Sequence, residues 1–205
     1  MNKKFLRKTS NWVISIIILV LLAVIGCGIW FLVSRTPAKP PVEFLTARER
    51  GAEISQKIAE LSSATAEKIA EINSLDLSND YDKALSLSED AQTKNREVRN
   101  QAVKLGNEVQ KMAEFLDKVP SSKSQELAMK AITTEMSLLT NLMQYSSILD
   151  QFLGNLNLAF ATSKSEYRQA AANNLSDLNL KTNTINNLNR QFSDQMREFD
   201  ESFSR

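Results

Sequence analysis

The chain has no histidine, one cysteine, five glycines and four prolines in 205 residues. Each shortage excludes something. Without histidine, triads built on an imidazole base and zinc sites built on imidazole ligands cannot form. The single cysteine, Cys27, cannot make an intramolecular disulfide. Any metal would have to be held by oxygen ligands, and no cofactor is expected. No nucleophile–base pair can be assembled from the sequence, which argues against an enzyme. Few Gly and Pro, with aromatics at 7%, leave long stretches free of helix breakers.

Charge is placed unevenly. Lys3, Lys4, Arg7 and Lys8 come first, with no acid among them, and from Ser34 onward there are 21 basic and 24 acidic residues. That near-neutral, slightly acidic body lacks the electrostatic footprint of a nucleic-acid binder, so no nucleic acid is expected as a partner.

Between the basic tail (residues 1–12) and the body lies an uncharged run, Val13 to Val33, "VISIIILVLLAVIGCGIWFLV". As a helix it would be roughly 31 Å long, close to the hydrocarbon thickness of a bilayer. Trp12 stands at one end and Trp30-Phe31 at the other, where amphipathic rings favour the interface. The basic tail predicts an N-terminus inside and a body outside, so membrane lipid is an expected partner through residues 13–33. Val24-Ile25-Gly26-Cys27 also resembles a relaxed bacterial lipobox, which would make Cys27 a site of cleavage and lipidation. Against that, the residues after Cys27 stay apolar, whereas a lipid-anchored terminus leads into a polar tether. The uncut span is the stronger reading. The prolines of "SRTPAKPPV" (residues 34–42) then break the helix and form a short tether.

Residues 43–205 carry helical periodicity almost throughout. The expected helices cover about 44–75, 80–119, 122–162 and 165–203. The second has the clearest heptad pattern, from Tyr81 and Ala84 through Ser88, Asn95 and Leu105 to Val119. The third has the widest apolar face. Capping boxes are read at Thr46–Glu49, Ser122–Gln125 and Ser163–Glu166, and a turn with its cap in "DLSNDYD". The fold class is all-α: one N-terminal transmembrane helix, then a long antiparallel, four-helix, coiled-coil-like bundle.

Several features are candidate sites. "DLSNDYDKALSLSED" clusters acids, but it fails the calcium-loop pattern, since the positions that need Gly and Glu are Tyr81 and Leu87. Folding back near residues 78, 120 and 164 brings Asn95, Tyr145 or Ser146, and Lys181 or Thr182 to one level, beside Leu61. That is a polar layer that fixes register or lines a ligand pocket. Glu135 occupies a seam position of the third helix, where it marks a wet spot or a partner contact or, as the ordinary reading, is a solvated acid. Phe192 and Met196 are read as core. Phe199 and Phe203 either seal the base or form a surface for a partner.

The layout of basic tail, span and external helical bundle is similar to chemoreceptor-type sensor domains, inner-membrane spanins and envelope scaffold subunits, as a plan rather than by motifs. Together these readings predict a non-enzymatic scaffold or interaction protein. It would be single-pass in the cytoplasmic membrane and would present its bundle to a protein partner or to its own copies. The alternatives are an extracytoplasmic ligand-binding module working with a separate signalling protein, and a lipoprotein carrying the same bundle.

Overall fold

The computed structural model describes residues 40–203. The expected span at residues 13–33, with Trp12, Cys27, Trp30 and Phe31, lies outside the described residues. Among the described residues no helix is long and apolar enough to cross a membrane.

Four long helices account for nearly all of the described chain. They are α1 (Val42–Ser78), α2 (Tyr81–Glu114), α3 (Ser122–Thr162) and α4 (Ser165–Glu201). Each of α1, α3 and α4 is about 55–60 Å long, and α2 about 50 Å. Pro41 precedes the first residue of α1, where its missing N–H costs nothing. Thr46–Glu49 therefore lies inside α1 and is not its cap. α1 ends on Asn79, whose φ of 61° is left-handed, and Asp80 then caps α2 by accepting from the Lys83 N–H. Asn tolerates that conformation better than most residues, which suits a two-residue turn.

α2 stops at Glu114 and not at Val119. A single 3₁₀ turn, Leu116–Lys118, follows before Pro120. It redirects the chain while Val119 stays buried at the base. The cap of α3 is Ser121, one residue before the expected box, and its Oγ accepts from the Ser124 N–H at 3.0 Å. Gln125 does not reach back to the cap. It donates to the carbonyl of Val119 and braces the loop. Ser163 is no cap either. It closes α3 with φ 56°, and Lys164 leads into α4 without a side-chain cap.

Short turns force antiparallel neighbours, and the four helices form an up-down-up-down bundle. The heptad residues Ala84, Ser88, Ala91, Asn95, Val98, Ala102, Leu105, Val109 and Met112 are all buried, so the sequence stripe of α2 is its real seam. Gly51 lets α1 come close to α2, since a Cβ there would stand 3.3 Å from Leu105 Cδ1. α1 and α4 approach less closely than the other neighbouring pairs. Long side chains bridge that gap near both ends. Arg48 grips Asp200 with two hydrogen bonds of 2.6 and 2.8 Å, and Arg168 grips Asp76 with two of 2.9 Å.

The core falls into two apolar clusters. The basal one gathers Phe44, Met112, Val119, Phe192, Met196, Phe199 and Phe203 around the start of α1, the end of α4 and the α2–α3 loop. The distal one gathers Ile72, Phe152, Leu153, Phe160 and Leu178 towards the two-residue turns.

Candidate functional site

The polar level expected in mid-bundle exists, with one buried polar residue from each helix. They are Thr65, Asn95, Ser146 and Thr182, none more than 3% exposed. The layer falls between the basal and distal clusters. Asn95 is its centre. Its Nδ2 donates to the Ser146 carbonyl at 2.7 Å and to Asp150 Oδ1 at 2.6 Å, and its Oδ1 accepts from Ser146 Oγ at 2.8 Å. Arg99 pairs with the other oxygen of Asp150. The hydroxyls of Thr65 and Thr182 are satisfied within their own helices, by the carbonyls of Leu61 and Leu178. Hydrogen bonding inside a low-dielectric core is what makes such residues tolerable, and it joins α2 to α3 at one register.

Three members differ from the sequence reading. Thr65, one turn on, takes the place of Leu61. Ser146 and not Tyr145 joins Asn95. Lys181 is not in the layer. It lies over the α3–α4 groove and donates to Asn141 Oδ1 and Gln144 Oε1 at 3.2 and 2.5 Å. Lysine keeps its ammonium in water where the adjacent threonine can turn inward, because threonine can bond its own backbone. Tyr145 stays partly open to solvent, and the apolar surroundings of its phenol push it up to about 12. It borders a cavity of about 20 Å³ with Thr65, Asn95, Leu142 and Leu149. That space suits one water molecule.

Glu135 corrects the reading of a solvated acid, for it is 6% exposed. The same helical face carries Ile132, Leu139 and Leu142, and its spacing from them turns Glu135 inward. Its Oε2 is buried without a hydrogen-bond partner. Burial pushes the carboxyl up to about 7, since nothing offsets its desolvation. It borders a second cavity of about 20 Å³ with Arg48, Gly51, Met112 and Phe192.

At the base, Phe199 is 0% and Phe203 6% exposed. Phe199 contacts Phe44 and Phe203, with ring centroids 5.3 and 5.0 Å apart. They seal the base, and so offer no surface to a partner. The reason is the return of α4 to the start of α1, which supplies Phe44 as a lid. The acids of residues 76–90 disperse. Asp76 binds Arg168, Asp80 caps α2 and Asp90 pairs with Lys68. Asp76 in turn holds the Arg168 guanidinium above its ordinary value.

Sequence reasoning missed Asp150 and the two arginine–aspartate pairs that bridge α1 and α4. Asp150 is four residues after Ser146, which was a usable signal. The α1–α4 pairs join residues more than 90 positions apart, and no local pattern marks them.

These features define an antiparallel four-helix bundle with a filled polar layer. No protein-family model, curated protein or solved structure matches the chain.

Proposed function

We propose that the protein is a non-enzymatic scaffold, held in the cytoplasmic membrane by residues 13–33, whose helical bundle stands outside and engages proteins or its own copies. The observation that carries this reading is the closed mid-bundle. Where a ligand pocket was a candidate, Asn95, Ser146, Thr65 and Thr182 fill the space and leave room for about one water. A ligand site at this level needs a cavity many times larger. The uncharged run, its flanking tryptophans and the basic tail support the anchor and its orientation.

The test is crosslinking of the full chain in membranes, followed by purification and mass analysis. A second protein, or a further copy, at fixed stoichiometry is the expected result. A monomer carrying a small bound molecule would overturn the reading.

A further inference from the structure

The two pairs that bridge α1 and α4 have different surroundings. The buried acids of the described residues, Glu108 and Glu135, both lie in the basal half, so the distal pair, Arg168–Asp76, has none near it. The basal pair, Arg48–Asp200, has Glu135. Arg48 and Glu135 wall the same cavity of about 20 Å³ and are the only charged residues on that wall. α2 contributes Leu105, Val109 and Met112 to it and α4 contributes Phe192, so neither helix turns a further titratable group into the cavity. From α1, besides Arg48, come Gly51 and Ser55, whose hydroxyl donates to the Gly51 carbonyl. Glu108 stands off this wall and accepts from Lys111.

The two carboxyl groups are placed unequally with respect to Arg48. Asp200 holds it by hydrogen bonds of 2.6 and 2.8 Å, near the end of α4, where its side chain is 12% exposed and can be reached by water. The Oε2 of Glu135 is buried and has no partner. A protonated carboxyl is tolerable there. An ionised one is not, unless water or a cation comes to it. Arg48 is the only cation on the cavity wall. The α1–α4 seam, where neighbouring helices approach least closely, is the loosest joint through which water can enter.

We propose that Glu135 is a proton-binding site that controls a latch at the base of the bundle. Protonated, it leaves Arg48 to Asp200 and the base stays shut. Ionised, it draws Arg48 and water inward, and α1 parts from α4 at that end. Asp200 then exchanges Arg48 for water at the rim, which costs less than an unpaired charge in the core. The Phe44–Phe199 contact joins the same two helices and opens with the latch. The distal half has no such acid and keeps its contacts. The shut base holds the proton with the carboxyl at about 7, while an open base returns it to 4.5. Opening therefore releases a proton and is favoured as pH rises through that window. The opening constant gains up to about 300-fold across it. Nothing in the latch depends on the anchor or on a partner.

The experiment measures distances between spin labels on the full chain with Cys27→Ser. Labels on Glu49→Cys and Glu201→Cys report the base, and labels on Leu77→Cys and Gln169→Cys report the distal end; all four positions are exposed. At pH 5.5 both pairs should give one narrow distribution. At pH 8.5 the basal pair should gain a longer component, several-fold more populated than at pH 5.5, while the distal pair stays unchanged. Glu135→Gln should keep the base narrow at both pH values, with the distal pair showing that the variant is folded. Asp200→Asn should widen the base already at pH 5.5. Basal distances that ignore pH overturn the latch, and a response that survives Glu135→Gln assigns it to another group and overturns it equally. Widening of both ends together would be general loosening, which also sinks the proposal. A narrow base in Asp200→Asn at pH 5.5 removes Arg48–Asp200 from it.

Discussion

Glu135 and Asn95 are both polar and both buried, yet they affect stability in opposite ways. Asn95 has partners on every side, whereas the Oε2 of Glu135 has none. The carboxyl ionises near 4.5 when exposed and near 7 in the fold. Between those values the folded chain binds more protons than the unfolded one, so stability falls as pH rises through this window. Below it the two states are alike in proton content, and above it the loss is complete. Glu135→Gln should therefore stabilise the protein by up to about 3 kcal/mol at pH 8 and hardly at all at pH 4.5. Urea unfolding at both pH values measures this, and equal gains at the two would refute it. Asn95→Ala removes three hydrogen bonds and leaves the Ser146 hydroxyl only its long 3.5 Å contact with the backbone carbonyl of residue 95, with an expected cost of about 2–3 kcal/mol. Ser146→Ala added to it should cost less than its separate effect, because the two share one network.

Helices one to four were legible as elements because a 3.6-residue period over forty residues leaves little ambiguity. The seam of α2 could be read residue by residue, since Ala84 to Met112 repeat three and four apart. Helix ends were less legible. Thr46, Ser122 and Ser163 each began a plausible capping box, but the local pattern recurs where no helix starts. The polar layer was half legible. Counting back from the turns found its level, but the choice between Tyr145 and Ser146, or Lys181 and Thr182, depends on a rotation of 100° per residue. The α1–α4 seam was not legible at all, because it is held by pairs distant in sequence. Its strength can be measured. Asp76 and Arg168 form a two-pronged pair that is mostly shielded, so a double-mutant cycle to alanine should give a coupling of about 1 kcal/mol. A coupling near zero would mean that this pair adds nothing to the hold of α4 on α1.

On the scale of the whole molecule, the proposed anchor and the bundle place different demands on the chain. The bundle is near neutral and its interior is filled, while the apolar run before it has no counterpart in the helices that follow. If residues 13–33 stay uncut, mass analysis of the protein from its native membrane should include Met1 through Gly26. A mass that starts at Cys27 with added acyl chains would replace the spanning anchor with a lipid one. The bundle would then be the same module on a different tether.

Pro41 and Phe203 lie at one end of the bundle, and the turns at Asn79 and Ser163 lie about 55 Å away at the other. Force applied between Pro41 and Phe203 would peel α1 from α4, breaking the Phe44–Phe199 contact and the Arg48–Asp200 pair before anything beyond them carries load. Force applied between Pro41 and the far turns would run lengthwise, and the contacts along α1 would share it at once. The bundle is therefore soft in one direction of pull and stiff in the other, and the point at which something grips it decides which response it gives.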